Sequence, residues 1–190
     1  MDFAELSEKV REEIYSCENC PLSRDSSQGI PGEGPLDANV MFVGDVPSEE
    51  EDEEGRPFAG KSGRVFDKLL KGAGLSREEV FVCNVIRCHI PSGKDPSKQQ
   101  IAACREYLDG EIALVRPQII CTLGRTALQT LLDDPKASIT RMNGKAVGFH
   151  GKTLVPLFHP EAGLHNPNAQ EPTKQGFKAL KRIIREVGVS

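Results

Sequence analysis

The sequence lacks any long apolar run. No stretch of about 18 apolar residues that could span a bilayer occurs in its 190 residues, and its first nine residues are too charged for a signal peptide. We therefore expect a cytoplasmic protein without a membrane partner. The chain also lacks an excess of positive charge, because its formal net charge is −4. This argues against a broadly basic surface that coats nucleic acid.

Cysteine, in contrast, is well represented, with six residues. Disulfides between them are not expected in a reducing compartment. Cys17 and Cys20 form a Cys-x-x-Cys pair, and Cys88 and Cys104 lie far downstream. This pattern favours thiolate ligation of a metal centre, but the spacing alone leaves zinc, an iron–sulfur cluster and no metal all open.

Short apolar runs alternate with helical patterns along the chain. Strands are predicted at 40–44, 80–86, 118–123 and 153–158, and helices at about 3–16, 62–73, 97–115, 125–133 and 173–187. This alternation predicts an α/β fold, a three-layer α/β/α sandwich with a four-stranded, mostly parallel sheet. We expect one domain over residues 1–190, with an N-terminal helix leading into Cys17 and Cys20. The acidic run 49–54 is interpreted as a solvated loop.

Polar residues stand at the predicted carboxyl ends of the strands, where parallel sheets bind their ligands. Gly44 and Asp45 follow the first strand, Asn84 comes late in the second, and His159 follows the last. Asn84 lies among apolar residues and needs a hydrogen-bond partner, from either the backbone or a ligand. Phe58, in a loop of Gly, Pro and Arg, is either packed on the sheet edge or exposed as a stacking surface for a flat ligand.

A phosphate-loop pattern occurs at residues 55–62, which read Gly-Arg-Pro-Phe-Ala-Gly-Lys-Ser. A functional phosphate loop follows directly on a strand, so that its backbone N–H groups surround the phosphates. Here six consecutive acidic residues precede the pattern instead. A nucleotide-hydrolase function is therefore not favoured.

Three segments together resemble the family 4 uracil-DNA glycosylases. They are residues 44–60 (Gly-Asp-Val-Pro-Ser through Gly-Arg-Pro-Phe-Ala-Gly), residues 83–91 (Cys-Asn-Val-Ile-Arg-Cys-His-Ile-Pro) and residues 158–160 (Phe-His-Pro). The resemblance extends from Cys17 to about Pro167. It implies an enzyme that flips uracil out of single- or double-stranded DNA and hydrolyses its N-glycosidic bond without a lysine Schiff base. It also implies a [4Fe–4S] cluster ligated by Cys17, Cys20, Cys88 and Cys104, and we expect a monomer.

The resemblance further implies roles for individual side chains. Phe58 would stack on the uracil, Asn84 would read its Watson–Crick edge, and His159 would donate to the charge that develops on uracil O2. Asp45 would position the attacking water, and Leu164 would enter the space that the base vacates. Backbone groups would also contact the substrate, and these belong to Gly44, Val46, Pro47 and Ser48.

Three positions depart from the family pattern. Asp45 stands where the family usually has Glu, Ser48 where it usually has Gly, and His165 where it often has Arg. The shorter carboxylate motivates a second hypothesis, a relative that binds uracil or another deaminated base in DNA with reduced or altered excision. A third, based on the cysteines alone, is an iron–sulfur redox protein. That third hypothesis explains neither Phe58 nor His159.

Overall fold

The computed structural model describes residues 2–189. At its centre is one five-stranded sheet with the strand order β2-β1-β3-β5-β4. The strands are β1 (Val40–Gly44), β2 (Val80–Asn84), β3 (Ile119–Leu123), β4 (Val147–Phe149) and β5 (Lys152–Leu157). All pairs are parallel except β4 with β5. The α/β class with a mostly parallel sheet is therefore confirmed.

The four predicted strands were found, but the strand count of four was wrong. The additional strand, β4, pairs antiparallel with β5 over three residues, and its two ends are only half-buried. The turn between the two strands places His150 at φ 47° and Gly151 at φ 76°, a left-handed pair typical of tight hairpins. This strand consists of an exposed glycine between two half-buried residues. Such a short segment carries too little apolar periodicity to be recognised as a strand.

Helices cover both faces of the sheet. They are α1 (Phe3–Tyr15), α2 (Leu22–Asp25), α3 (Glu49–Glu54), α4 (Gly60–Ala73), α5 (Lys98–Val115), α6 (Arg125–Leu132), α7 (Ile139–Met142), α8 (Ala162–His165) and α9 (Pro167–Val187). One core cluster joins the sheet to α5 and α6 through Leu108 and Leu128. The other joins it to α4 and α9 through Phe66 and Phe177. These two clusters give the predicted three layers.

The parallel register aligns the carboxyl ends of the central strands. Gly44, the last residue of β1, is paired with Asn84 of β2 and with Leu123 of β3. Leu123 is in turn paired with Leu157, at the end of β5. Every residue of β1, β2 and β3 is buried, as expected for strands covered on both faces. The predicted polar residues therefore lie at the same end of the sheet, where the parallel strands have their carboxyl ends.

The acidic run is not the solvated loop that we predicted. It forms α3, which begins with a capping box between Ser48 and Glu51 and ends at Gly55 in the left-handed conformation. The segment with the phosphate-loop pattern therefore follows a helix rather than a strand, which confirms the argument against a phosphate loop. Helix α9 also differs from its prediction, since it begins at Pro167, with Asn166 as its cap.

The N-terminal helix α1 packs against α5. Ile14 is buried, and Nη1 of Arg11 donates to the carbonyl of Gly32 at 3.1 Å. The outer edge of β2 is partly covered by the segment that follows α2, because Glu33 in that segment exchanges two backbone hydrogen bonds of 2.8 Å with Val82. No helix in the described part of the chain has the length and apolar character to cross a bilayer.

Candidate active site

Gly44, at the end of β1, packs directly between an amide and an aromatic ring. Gly44 is buried there, and a Cβ added to it would collide with Oδ1 of Asn84 and come within 2.8 Å of Cζ of Phe58. Only glycine fits at this position, because any side chain would overlap the Asn84 amide or the Phe58 ring. The end of β1 thus brings together a ring and an amide, two groups that can respectively stack on and hydrogen-bond a planar base.

The ring of Phe58 is fixed from several sides. The residue is buried with a positive φ of 53°, a conformation uncommon for an aromatic residue. Its ring lies 4.8 Å from that of Phe66 and 5.7 Å from that of His159, centroid to centroid. A Cβ on Gly63 would collide with the Phe58 carbonyl. Of the two earlier interpretations, core packing therefore holds in this structure, and the ring also borders the polar residues.

Glu51 was missed by the sequence analysis, yet it connects three parts of this site. Its Oε1 accepts from the Phe58 N–H at 2.6 Å and from Nδ2 of Asn84 at 3.1 Å, and its Oε2 accepts from the Ser48 N–H at 2.9 Å. The side chain is buried, and burial raises its pKa. The pattern Ser48-x-x-Glu51 is a capping-box signature that could have revealed the helix, although not the contact with Asn84.

The expectation that Ser48 offers a backbone N–H to a ligand needs correction. That N–H is already donated to Glu51, and the Ser48 hydroxyl accepts from the Glu51 N–H at 3.2 Å as the α3 cap. Val46 and Pro47 precede it in the same turn. The Pro47 carbonyl lies 2.8 Å from Nδ1 of His89, so His89 fastens this turn to the segment after β2.

His159 lies two residues beyond the end of β5. Its Nδ1 accepts a hydrogen bond from the Glu161 N–H at 3.2 Å, and burial lowers its pKa to about 4. The imidazole is therefore neutral at pH 7. Because Nδ1 acts as the acceptor, the single proton resides on Nε2, which is left as a donor.

Asp45 is directed to the neighbouring strand end. Its Oδ1 accepts from the Ala127 N–H, in the first turn of α6, at 2.7 Å. A Cβ on Gly124 would collide with the Asp45 carboxylate, so glycine is required there as well. Burial raises the pKa of Asp45 to about 6, although the N–H groups of Ala127 and Thr126 oppose that shift.

Leu164 lies in the short helix α8, five residues after His159 in sequence. Its side chain is 49% exposed, which is unusual for a leucine in this chain, since most of its leucines are buried. Leu164 therefore lies on the surface, beyond the carboxyl end of β5, the strand that leads to His159.

The four candidate ligand cysteines lie on the same side of the molecule. Cys88 and Cys104 are buried in the core cluster against which Cys20 packs. Burial raises the pKa of both buried thiols, that of Cys104 to about 11, and Cys20 adds to each shift. Cys17 hydrogen-bonds the Tyr107 hydroxyl, which belongs to the same helix as Cys104. Cys17 also adds to the shift of Cys88.

Arg87 places positive charge beside these thiols. Its backbone N–H donates to the Cys104 sulfur. Its guanidinium is buried and paired with Glu111, with Nη2 at 2.9 Å from Oε2. Within residues 2–189, no three His, Cys, Asp or Glu side chains are already arranged to hold a metal ion.

Comparison with known protein families agrees with this geometry. The family model described as the uracil DNA glycosylase superfamily matches residues 31–185, which is most of the chain. The chain belongs to the uracil DNA glycosylase superfamily. The start of the match at residue 31 leaves Cys17 and Cys20 outside the superfamily's common region.

Individual relatives place this superfamily member in a narrower group. It is 40% identical over 183 residues to the type-4 uracil-DNA glycosylase of Thermotoga maritima, covering 96% of this chain and 91% of that protein. It is 38% identical over 184 residues to the type-4 uracil-DNA glycosylase of Sulfurisphaera tokodaii, covering 93% and 84%. The part of this chain that the first comparison leaves uncovered is shorter than the segment before Cys17, so that match extends over the positions of Cys17 and Cys20.

A solved structure supports the uracil DNA glycosylase fold. It is a solution NMR structure from Methanosarcina acetivorans, described as a candidate uracil DNA glycosylase, with a TM-score of 0.52 and 15% sequence identity. The match covers 82% of this chain and 98% of that one. At this level of identity the likeness concerns the fold alone.

Proposed function

We propose that this protein is a monofunctional uracil-DNA glycosylase, which hydrolyses the N-glycosidic bond of uracil in DNA and leaves an abasic site. The observation that carries the proposal is the convergence of the Asn84 amide, the Phe58 ring and the His159 ring at the strand end that Gly44 marks. Membership of the type-4 group, whose named members are uracil-DNA glycosylases, supports the same reaction.

Base recognition would depend on two side chains, Phe58 and Asn84. A flipped uracil would stack on Phe58 and present its N3–H and O4 to the amide of Asn84. Gly44, Val46 and Pro47 form the turn against which the base would rest. Because Phe58 is buried in this structure, base entry would require the His159 ring and the Phe58 ring to separate.

His159 would stabilise the departing uracil anion. Breaking the glycosidic bond places negative charge on uracil O2, and a preorganised donor lowers the free energy of that transition state. The neutral imidazole, with its proton on Nε2, is such a donor. Its low pKa, about 4, supports hydrogen bonding rather than proton transfer as its role at pH 7.

Asp45 would position the attacking water and stabilise the cationic sugar. With its pKa raised to about 6, the carboxylate is ionised at pH 7. The N–H groups of Ala127 and Thr126 at the start of α6 hold the carboxylate in place, and a water would bind to a lone pair that they leave unused.

DNA of either form would be the partner, single-stranded or double-stranded. In a duplex, the exposed Leu164 would fill the gap left by the flipped base and lower the cost of unstacking. Its exposure and its place after His159 support this role.

Cys17, Cys20, Cys88 and Cys104 would hold a [4Fe–4S] cluster. The donor set fits: there are four thiols, and the Arg87 backbone N–H is directed at the Cys104 sulfur, a contact that would favour its thiolate. When bound, the cluster would cross-link the N-terminal segment to α5 and to the segment after β2. We assign it no chemical step in base excision.

One observation favours the alternative of a binding relative with reduced or altered excision. Asp45 is one methylene shorter than Glu, and its carboxylate is already engaged by α6. If that engagement keeps it from the water, base binding would persist without efficient hydrolysis. We further propose that residues 1–190 act as one domain, as a monomer and in the cytoplasm, since both core clusters pack on a single sheet and cysteines kept as metal ligands suit a reducing compartment.

The test is single-turnover cleavage of a labelled single-stranded oligonucleotide with one uracil, followed by alkali, for wild type and Asp45→Glu in parallel. Strand cleavage by wild type is expected. Cleavage by the Glu variant alone would favour the binding relative. Cleavage by neither would overturn the proposed function.

A further inference from the structure

We propose that the outer face of α4 and α9 is a second DNA-binding surface, which holds the phosphate backbone of undamaged duplex DNA by charge alone. The surface consists of the exposed lysines and arginines of these two helices, from Arg64 onward, and is here called the α4/α9 face. It goes beyond the proposed function, because its contacts involve neither the flipped base nor the excision step.

Helical spacing places the basic residues of α4 on one side of that helix. The exposed members are Arg64, Lys68 and Lys71, at intervals of four and three residues. Residues at these intervals are neighbours on a helix surface, and the apolar side of α4 is buried against the sheet. Lys61 is set apart, because its N–H donates to Glu50 of the acidic helix α3 at 2.8 Å.

Helix α9 carries a longer stripe of the same kind. Its exposed basic residues are Lys174, Lys178, Lys181, Arg182 and Arg185. The helix packs against α4, and the rings of Phe66 and Phe177 lie 6.4 Å apart between the two helices, centroid to centroid. Both helices cover the same face of the sheet, so the two basic stripes lie side by side on one side of the molecule.

Few acidic side chains oppose this charge. The acidic residues of the two helices are Asp67, Glu171 and Glu186, and Asp67 pairs with Arg77, outside the face, at 3.6 Å. Within residues 2–189, none of the five lysines of the face takes part in an ion pair. The whole chain has a formal net charge of −4, so the face concentrates positive charge on an otherwise acidic protein. A bound polyanion relieves the resulting self-repulsion.

The composition of the face favours DNA over a folded protein as its partner. Protein interfaces have an apolar centre, whereas the large apolar side chain that α4 and α9 expose, within the described part of the chain, is Val187 at the end of α9. Interfaces with DNA are more polar and much more positively charged. Lysine predominates here, and an ammonium group binds phosphate as a point charge without reading a base.

The dimensions of the face also suit a DNA backbone. The eleven residues from Lys174 to Arg185 span about 16 Å at the rise of an α-helix. One strand of a duplex passes about five phosphates over that length, which matches the five basic residues of α9. At its other side the face reaches the proposed base site, because Arg64 and Phe58 line the same cavity. A duplex that extends past the base site can therefore lie along this face.

The experiment measures the affinity for a labelled duplex without uracil by fluorescence anisotropy, over a series of salt concentrations. Lys178→Gln/Lys181→Gln removes two charges from the face, and Lys9→Gln/Lys136→Gln, also exposed, removes two from elsewhere. In the first variant the slope of log K against log salt should flatten by about two, and the affinity at low salt should fall at least tenfold. The control should keep both values. An unchanged slope in the first variant would overturn the proposal.

A parallel titration with poly-glutamate in place of DNA tests the alternative partner, an acidic protein. We expect the loss of affinity in Lys178→Gln/Lys181→Gln to be larger for the duplex. An equal or larger loss for poly-glutamate would overturn the assignment to DNA.

Lysine acetylation of the wild-type protein, followed by mass spectrometry, tests the same surface without any substitution. With the uracil-free duplex at about ten times its Kd, Lys178 and Lys181 should react about tenfold more slowly, because only the free protein is modified. Lys9 and Lys136 should react as before, and equal rates at all four lysines would overturn the proposal. Neither readout needs excision. A protein that leaves uracil in place but protects these lysines would therefore reject the proposed function alone.

Discussion

Phe58 and His159 stack on one another, with ring centroids 5.7 Å apart and ring planes inclined by 27°. The two residues are far apart in the sequence. They meet because β1 and β5, the strands that precede them, both lie next to β3. Burial in this contact keeps the imidazole neutral. In the proposed function, the two rings would have to separate before a base could stack on Phe58.

Replacing His159 by Ala should lower single-turnover excision of uracil by about 10²-fold, comparable with the loss of one oxyanion donor. Rapid-quench kinetics on a single-stranded substrate would measure this. His165→Ala, exposed in α8, is the control and should keep the wild-type rate. Full activity in His159→Ala would remove this residue from the site.

The change Gly44→Ala should reduce excision by about a hundredfold or more, because misplacing a reactant by about 1 Å has that effect. The added methyl would collide with Asn84 and Phe58. Gly148→Ala, in β4, is the control, since nothing lies within 4 Å of a Cβ there. Binding of free uracil, measured by calorimetry, should be lost in parallel. Retained binding would show that uracil does not bind beside Gly44.

Excision should fall about tenfold per pH unit below pH 6, since Asp45 acts only when ionised and its pKa is raised to about 6. Stability has the opposite sign. The folded state binds the Asp45 proton more tightly than the unfolded state, so this stabilising contribution is present at low pH and is lost as pH rises from about 4 to about 6. Asp45→Asn should therefore melt at a higher temperature than wild type at pH 7 while excising uracil about a hundredfold more slowly. A pH-independent difference in melting temperature would contradict this assignment.

If the proposed cluster is present, replacing Cys88 by Ala should abolish its brown absorbance and lower the melting temperature of the protein, since one of the four proposed ligands is lost. Cys121→Ala, buried in β3 on the other face of the sheet, serves as the control and should retain both colour and iron. An intact visible spectrum in Cys88→Ala would show that the ligand set is wrong.

Leu164→Ala should slow excision from double-stranded DNA about tenfold more than excision from single-stranded DNA, because only the duplex needs its gap filled. The ratio of the two single-turnover rates measures this. Val187→Ala removes another exposed apolar side chain and should leave the ratio unchanged. Equal slowing on both substrates would exclude a wedge.

Much of the sheet could be predicted from the sequence, because each buried parallel strand is a short, continuous apolar run. The ends of those runs also located Gly44, Asn84 and His159. The strand β4 escaped prediction because three half-exposed residues leave no periodic signal. These successes and failures share one cause, since apolar patterning reports burial in a large core and little else.

The partners of the acidic run could not be predicted. Six acidic residues resemble a solvated segment, yet Glu51 and Asp52 are buried. Asp52 accepts from the Ser27 N–H and hydroxyl, and Glu51 accepts from Asn84. Both partners are distant in sequence, so only the tertiary fold could show that these carboxylates are paired inside the protein.

The small strand β4 and the Glu33–Val82 bridge have a consequence for behaviour in concentrated solution. An open sheet with two bare edges would offer unpaired N–H and C=O groups to the strands of other molecules. Here one edge ends in three residues around Gly148, and Glu33 occupies part of the other. The fold thus blunts both routes to edge-to-edge aggregation, and the native protein should remain dispersed at concentrations that would make a bare sheet precipitate.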